Sequence, residues 1–287
     1  MKAPNFSYVK PESLAEAVEI LVRHDGAAVP IAGGQSLLAG LSMRLSRPEL
    51  LVDLTGLDSL RGIRVEKDHV HIGALTRHVD VLRSEEMKRE LPLIGKAIHF
   101  VAHVAVRNRG TIGGSVAYAD PSAELPACIV ALNATVSIAG PDGVRDVAAD
   151  QFFHGLFETD LKIGEIIVGF RIPRIRTGQR WAFLELSRRR GDFAMAGVAV
   201  LTDTDDTTIT AARVTYFGCS EYPRLAENVG AALIGKTLPL GDTAWIAEAV
   251  SQDVEPSPSA DMRADTKLKL ATVVTERALA ELSLQEK

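Results

Sequence analysis

Two cysteines, Cys128 and Cys219, are all this chain holds. They are too few and too far apart for an iron–sulfur or zinc motif, and they give no disulfide framework, so a reducing cytosol is the expected compartment. Lys and Arg are outnumbered by Asp and Glu, leaving a net charge of −5. No basic arm or Arg/Lys stripe with interleaved aromatics appears, which argues against nucleic acid as a partner. No run of about 18 apolar residues exists, so no transmembrane helix is expected. Met1 to Lys10 lacks the apolar segment of a secretory signal. There is no internal repeat, no low-complexity tract, and no G-x-G-x-x-G between a strand and a helix. What remains is an ordinary globular balance, 46% apolar and 24% charged over 287 residues, enough for two domains.

Against this background two glycine-rich stretches stand out. One is Ile31-Ala32-Gly33-Gly34-Gln35-Ser36-Leu37; the other is Arg107-Asn108-Arg109-Gly110-Thr111-Ile112-Gly113-Gly114-Ser115. Glycine lets backbone approach a ligand closely. Successive free N–H groups in such a turn make an anion site, and the following hydroxyls add donors. Two such loops suit a pyrophosphate, hence a dinucleotide. Asp120 and Glu124, after the second loop, read either as turn residues or as acceptors for cofactor hydroxyls.

In chain order, Ser13-Leu14-Ala15-Glu16 is a capping box opening a helix that Gly26 stops. Ala28 to Ala32 reads as a strand and Ser36 to Arg47 as a helix whose N-terminus favours phosphate. Leu50 to Asp53 reads as a second strand, completing a β-α-β unit. Val70 to Ile72 runs into the small-residue loop Gly73-Ala74-Leu75-Thr76, and a helical region broken near Pro92 is expected from Thr76 to about Val104. A hairpin surrounds Gly140-Pro141-Asp142-Gly143, and a strand spans Glu165 to Ile172. The polar stretch Arg174 to Gln179 marks the domain boundary. Strands follow at 181–187, 194–202 and 210–217, then helices at 225–234, 242–250 and 263–284. That order is an α+β pattern.

Other motifs carry less. Gly230 to Thr237 matches G-x-x-x-x-G-K-T, but the segment is helical and Pro239 follows, so Gly235 reads as a helix-ending glycine. His99 and His103 have H-x-x-x-H spacing without a third ligand and read as core or interface residues. Arg188-Arg189-Arg190 reads as a solvated or partner-facing strand end, and Arg190-Gly191-Asp192 as a chance tripeptide. No catalytic triad or carboxylate pair can be placed by spacing.

The two glycine loops, with Leu51-Val52-Asp53-Leu54, Ile72-Gly73-Ala74-Leu75-Thr76 and Arg190-Gly191-Asp192-Phe193-Ala194, resemble the FAD-binding medium subunits of the molybdenum hydroxylases. The resemblance runs from Asn5 to the C-terminal helix. It implies an α+β fold with a two-lobed FAD-binding domain of the vanillyl-alcohol-oxidase (PCMH) type over 1–176 (lobes about 1–56 and 57–176). A C-terminal α+β domain with a three-stranded antiparallel sheet would cover 177–287. Non-covalent FAD is implied at Ala32, Gly33, Gly34, Gln35, Ser36, Leu37, Gly73, Thr111, Gly113, Gly114, Ser115, Asp120, Glu124, Ile167, Asp192 and Phe193. Phe193 stands where relatives often carry Tyr, and Ser115 where Asn is common. The implied partners are a large subunit with the molybdenum cofactor and a small one with [2Fe–2S] clusters, in a heterotrimer or a dimer of heterotrimers. The implied location is the cytoplasm, either free or peripheral to the inner membrane face through the complex. The implied role is electron transfer to an external acceptor. Two rival readings are a self-sufficient flavin oxidase and a non-catalytic nucleotide-binding assembly module.

Overall fold

The computed structural model describes residues 2–256 and 262–285. The first lobe is a small parallel sheet of β1 (Ser7–Val9), β2 (Ala28–Ile31) and β3 (Leu50–Asp53), with β3 in the middle. Helix α1 (Leu14–Arg23) covers it with Ala17, Val18 and Leu21. Ser13 caps the helix by accepting the Glu16 N–H, while Glu16 reaches back to the N–H of Glu12 rather than of Ser13. Gly26, at φ +85, turns the chain into β2.

The next helix is shorter than its sequence suggests. Helix α2 (Leu37–Ser42) makes under two turns before Arg44, at φ +61, ends it. Leu38, Met43 and Leu45 are all exposed, and of α2 only Gly40 and Leu41 are buried. Apolar spacing without a surface to pack on does not sustain a helix.

The second lobe is an antiparallel sheet in the order β4 (Ile63–Val65), β5 (His69–Gly73), β10 (Ile166–Pro173), β6 (Thr135–Gly140), β7 (Gly143–Ala148). The hairpin joining β6 and β7 turns at Gly140 and Gly143 as expected. Between β5 and β6 the chain is helical, but not continuously. Helices α3 (His78–Arg83), α4 (Glu85–Glu90) and α5 (Pro92–Ala97) are separated by Ser84, which caps α4 by accepting the Met87 N–H, and by Leu91 before Pro92. A non-helical stretch from Phe100 to His103 follows, held by Arg107, whose guanidinium donates to the Val101 and Ala102 carbonyls. Then come α6 (Val104–Arg107), α7 (Ile112–Tyr118) and α8 (Glu124–Ala131). His99 and His103 therefore share no helix face, and both are exposed, which corrects the core reading. Among the described residues no group of three or more His, Cys, Asp or Glu can hold a metal ion. A short ribbon, β8 (Phe153–Gly155) with β9 (Glu158–Thr159), precedes β10.

The last third begins with the antiparallel sheet β11 (Gln179–Leu186), β12 (Ala196–Asp205), β13 (Thr208–Phe217). The second hairpin is tighter than the sequence suggests, with Asp206 at φ +55. Helices α9 (Glu227–Leu233), α10 (Ile246–Asp253) and α11 (Ala264–Leu282) complete the described chain. Gly230 lies inside α9 and Gly235 follows it at φ +81, so the phosphate-loop match is fortuitous. Alternation along the strands gives this sheet two buried faces. Val198, Val200, Val214 and Tyr216 pack on the C-terminal helices. Phe183, Ala199, Leu201 and Phe217 join instead the main core beneath α5 and α8. Among the described residues no helix is long and apolar enough to cross a membrane.

Candidate functional site

The two glycine loops meet. Gly33 lies so close to the second loop that an added Cβ would stand 2.2 Å from the Arg109 carbonyl oxygen and 2.7 Å from Gly110 Cα. A Cβ on Gly113 would fall 2.6 Å from Ala74 Cβ. The second loop is also stitched to the 74–78 segment by backbone bonds: His78 N–H to the Gly110 carbonyl, Ile112 N–H to Thr76, Gly113 N–H to Ala74. The glycines are thus needed for backbone-to-backbone approach across the lobe boundary.

Between the loops opens a cavity of about 710 Å³, a size suited to a large cofactor. Its wall takes Ala32, Gly33, Gly34, Gln35, Ser36 and Leu37 from the first loop, and Thr111, Gly113, Gly114 and Ser115 from the second. Asp120, Glu124, Ile167, Asp192 and Phe193 line it as well, so the structure brings together every sequence-predicted site residue but one. Gly73 is the exception. It sits behind the wall, where a Cβ would be 2.4 Å from the Leu60 carbonyl oxygen, and its small size serves packing.

The donors are distributed unevenly. In the second loop the Thr111 hydroxyl caps α7 by accepting the Gly114 N–H, and Ser115 N–H bonds the Thr111 carbonyl. With Ile112 and Gly113 already bonded, the N–H groups of 112–115 are all engaged. In the first loop the N–H groups of Gly33, Gly34, Gln35 and Ser36 donate to no acceptor among the described residues. The Gln35 amide folds back to the Gly33 carbonyl and braces that loop, in which Gly34 holds φ +71. Residues 33–36 thus present a run of unengaged backbone N–H groups, whereas those of 112–115 are committed within the protein.

His78 lines the cavity and escaped the sequence reading. It is 5% exposed, and neither ring nitrogen has a hydrogen-bond partner. Burial pushes it down to about 4 against an opposing contribution from the Thr111 backbone, with the nearby Arg107 charge adding to the fall, so it is neutral at pH 7, one nitrogen a donor and the other an acceptor. Buried polar atoms without partners are rare in native proteins, and these lie at a cofactor-sized cavity. Glu124 begins α8 and is also buried, and that burial pushes its carboxyl up to about 8. Asp120 accepts the Ser122 N–H and is also raised by burial. At the cavity's other end Gly191, Asp192 and Phe193 arrive from the loop after β11. The Gly191 backbone rests on the His103 ring, where a Cβ would be 2.7 Å away, and Phe193 is 72% exposed. No local pattern marks His78 or the His103–Gly191 contact, because both depend on distant segments meeting.

Free backbone donors for a pyrophosphate, orphaned ring nitrogens and a long cavity between two lobes fit FAD. They define a flavin-binding protein of the two-lobed type. Residues 4–175 match the family "FAD binding domain in molybdopterin dehydrogenase", and residues 181–282 match the "CO dehydrogenase flavoprotein C-terminal domain". The chain belongs to this family of FAD-binding oxidoreductase subunits. It is 36% identical to the carbon monoxide dehydrogenase medium chain of Hydrogenophaga pseudoflava, covering 97% of each chain. With the caffeine dehydrogenase subunit beta of Pseudomonas sp. (strain CBB1) it shares 35% identity over 98% of this chain and 95% of that one. The fold superposes on the carbon monoxide dehydrogenase structure from Hydrogenophaga pseudoflava with a TM-score of 0.94, at 37% identity over 99% of both chains. For quinoline 2-oxidoreductase from Pseudomonas putida 86 the TM-score is 0.91, at 36% identity over 99% of both chains.

Proposed function

We propose that this chain is the electron-relay subunit of a molybdenum-containing hydroxylase or dehydrogenase complex. The observation that carries the reading is the 710 Å³ cavity between two glycine loops, in a chain of the family of FAD-binding domains in molybdopterin dehydrogenases. FAD is held non-covalently. The backbone of Gly33 to Ser36 takes the pyrophosphate, while Ala32, Leu37, Gly113, Gly114 and Ile167 form close apolar or small-residue walls. Thr111 fixes the second loop, and Ser115, Asp120, Glu124 and Asp192 offer polar contacts, with Phe193 as an exposed aromatic on the cavity wall.

Bound flavin supplies one- and two-electron chemistry, while the protein contributes position and electrostatics. The chain's own residues exclude water from the cavity interior, hold the first loop's donors in place and present neutral His78. Electrons arrive from [2Fe–2S] clusters on a small partner subunit, fed by a molybdenum cofactor on a large one, and leave to an external acceptor. The complex is a heterotrimer or a dimer of heterotrimers in the cytoplasm, either free or peripheral to the inner membrane face. Leu38, Met43, Leu45 and Val104 are large apolar side chains left exposed; such surface supports a subunit interface. The identity of the oxidised substrate resides in the large subunit. The division of the chain at 176/177 follows the loop between β10 and β11.

The test is an absorbance spectrum of the purified chain, followed by heat release and identification of the yellow cofactor. Released FAD, with iron–sulfur and molybdenum subunits co-purifying from the native host, is the expected result. A well-folded chain that ignores added FAD refutes the relay role. Turnover of an organic substrate by this chain alone refutes it in favour of an independent oxidase.

A further inference from the structure

A second cavity adjoins the first glycine loop. Its volume is about 290 Å³, and its wall includes Arg61, Arg77, Asn108 and Arg109. Ala32, Gly33, Leu75 and Thr111 line it too, and the same four residues line the larger cavity, so the two spaces share a partition. Among the described residues no Asp or Glu contributes to the smaller wall.

The cations come from three segments far apart in the chain, and backbone bonds fix those segments to each other. The Leu75 N–H donates to the Leu60 carbonyl, next to Arg61. The Thr76 hydroxyl, 2% exposed, accepts the Gly62 N–H and donates to the Gly62 carbonyl. Arg77 pairs with Thr111 as an isolated antiparallel bridge, and the His78 N–H donates to the Gly110 carbonyl. Arg61, Arg77 and Arg109 are thus mounted on, or directly beside, braced backbone.

Protein partners do not account for the arrangement. Arg61 donates from Nε to Asp58 and from Nη2 to the Thr55 carbonyl, which leaves Nη1 without an acceptor among the described residues. The guanidinium groups of Arg77 and Arg109 are exposed, and neither makes a hydrogen bond or an ion pair with any described residue. Asp80, close to Arg77 in the chain, accepts that residue's backbone N–H instead. Asp53 is engaged by the Tyr8 hydroxyl and the Thr55 N–H. Arg107 differs from Arg109, because the Val101 and Ala102 carbonyls consume its guanidinium. A lone exposed arginine needs no explanation. Three cations on one cavity repel each other, and an oxyanion that accepts from their planar forks reverses that cost.

We propose that the smaller cavity is an oxyanion site, separate from the cofactor cavity, that holds a phosphate or phosphomonoester group on Arg77 and Arg109, with Arg61 and Asn108 as further donors. The group is either free phosphate or the phosphate end of a nucleotide. The site stands on its own residues and does not depend on reading the larger cavity as the FAD site.

Isothermal titration calorimetry on the full-length chain, prepared in chloride buffer free of phosphate and sulfate, tests it. Inorganic phosphate titrated into the FAD-loaded chain should saturate a single site. Arg77→Gln and Arg109→Gln should each weaken that binding by about tenfold, the loss that follows removal of a charge-assisted hydrogen bond. Arg109→Lys keeps the charge without the fork and should lose less. Adenosine monophosphate that competes with phosphate and binds more tightly identifies a nucleotide phosphate as the occupant; adenosine monophosphate that binds no better identifies the free ion. Absence of saturable phosphate binding overturns the proposal. So does binding retained in the double variant Arg77→Gln/Arg109→Gln, folded by circular dichroism, because an adventitious ion elsewhere is then the source. If FAD displaces phosphate mole for mole and both arginine variants also lose FAD, the cavity is part of the cofactor site and the separate site is refuted. A chain that takes up no FAD is titrated in its apo form with the same variants, so failure of the cofactor reading leaves the arginine test intact.

Discussion

Replacing Gly33 with alanine tests the joint on which the cavity depends. The new methyl would stand 2.2 Å from the Arg109 carbonyl oxygen and 2.7 Å from Gly110 Cα, roughly 1 Å inside normal contact. Both obstacles are backbone, so no side-chain rotation relieves the clash. The available response is for the two loops to part, which displaces Gly33 and its neighbours in the cavity wall. Overpacking of this kind costs about 1–3 kcal/mol. If that strain is released only by loop separation, FAD affinity falls by about 5- to 150-fold, at 1.4 kcal/mol per decade. Gly40→Ala is the matched control: it lies in the same segment with nothing within 4 Å of an added Cβ, and alanine favours helix there by about 1 kcal/mol. The assay is flavin-to-protein ratio after desalting, with a dissociation constant from fluorescence quenching of added FAD. Wild-type affinity and stoichiometry in folded Gly33→Ala would falsify the claim that loop contact closes the site.

Three further outcomes follow from buried charge and capping. His78 resists protonation down to about pH 4, against 6.5 ordinarily. Its depressed value means the unfolded chain binds the proton first, so stability present above pH 6.5 drops by about 3 kcal/mol between pH 6.5 and 4. In His78→Leu, urea melts should lose this component, the apo chain should be no less stable at pH 7, and FAD should bind about tenfold more weakly; an unchanged pH profile rejects the assignment. Glu165 is held below its ordinary 4.5 by Arg145, which bonds both its oxygens and also Asp160. That contribution exists above pH 4.5 and disappears as pH falls through the lower folded value, so Arg145→Met should destabilise the chain at neutral pH and flatten its acid limb. Asp253 accepts the N–H groups of Asn228 and Val229 and the Asn228 amide, closing the N-terminus of α9. Asp253→Ala should cost about 2 kcal/mol in thermal or urea unfolding while leaving FAD affinity unchanged.

The glycine loops were legible because their chemistry is local: small residues and hydroxyls sit within a few positions of each other. The hairpin at Gly140–Gly143 and the final α+β order were legible for the same reason. The α2 helix was overextended because no proline interrupts the segment before Pro48, while Leu38, Met43 and Leu45 find no surface in this chain to bury them. The 76–104 region read as one broken helix because three short helices, each stopped by a cap or a proline, share nearly the same apolar period. Free donors in the second loop were a wrong expectation. The sequence does not show that Ala74 and Thr76 consume the N–H groups of Gly113 and Ile112. His78 and the His103–Gly191 contact were invisible because each owes its setting to residues far away in the chain.

The third sheet has one more consequence. Family resemblance divides the chain at about residue 180, yet Phe183, Ala199, Leu201 and Phe217 belong to the core that also contains Leu93, Ile94 and Ile129. The segment boundaries are thus units of inheritance without being units of folding. A fragment ending in the β10–β11 loop would strip aromatic cover from α5 and α8 and remove the Gly191–Phe193 rim of the cavity. Recombining flavin modules between complexes of this kind therefore has a natural cut only outside both segments, where the exchanged piece carries its own lid and its own floor.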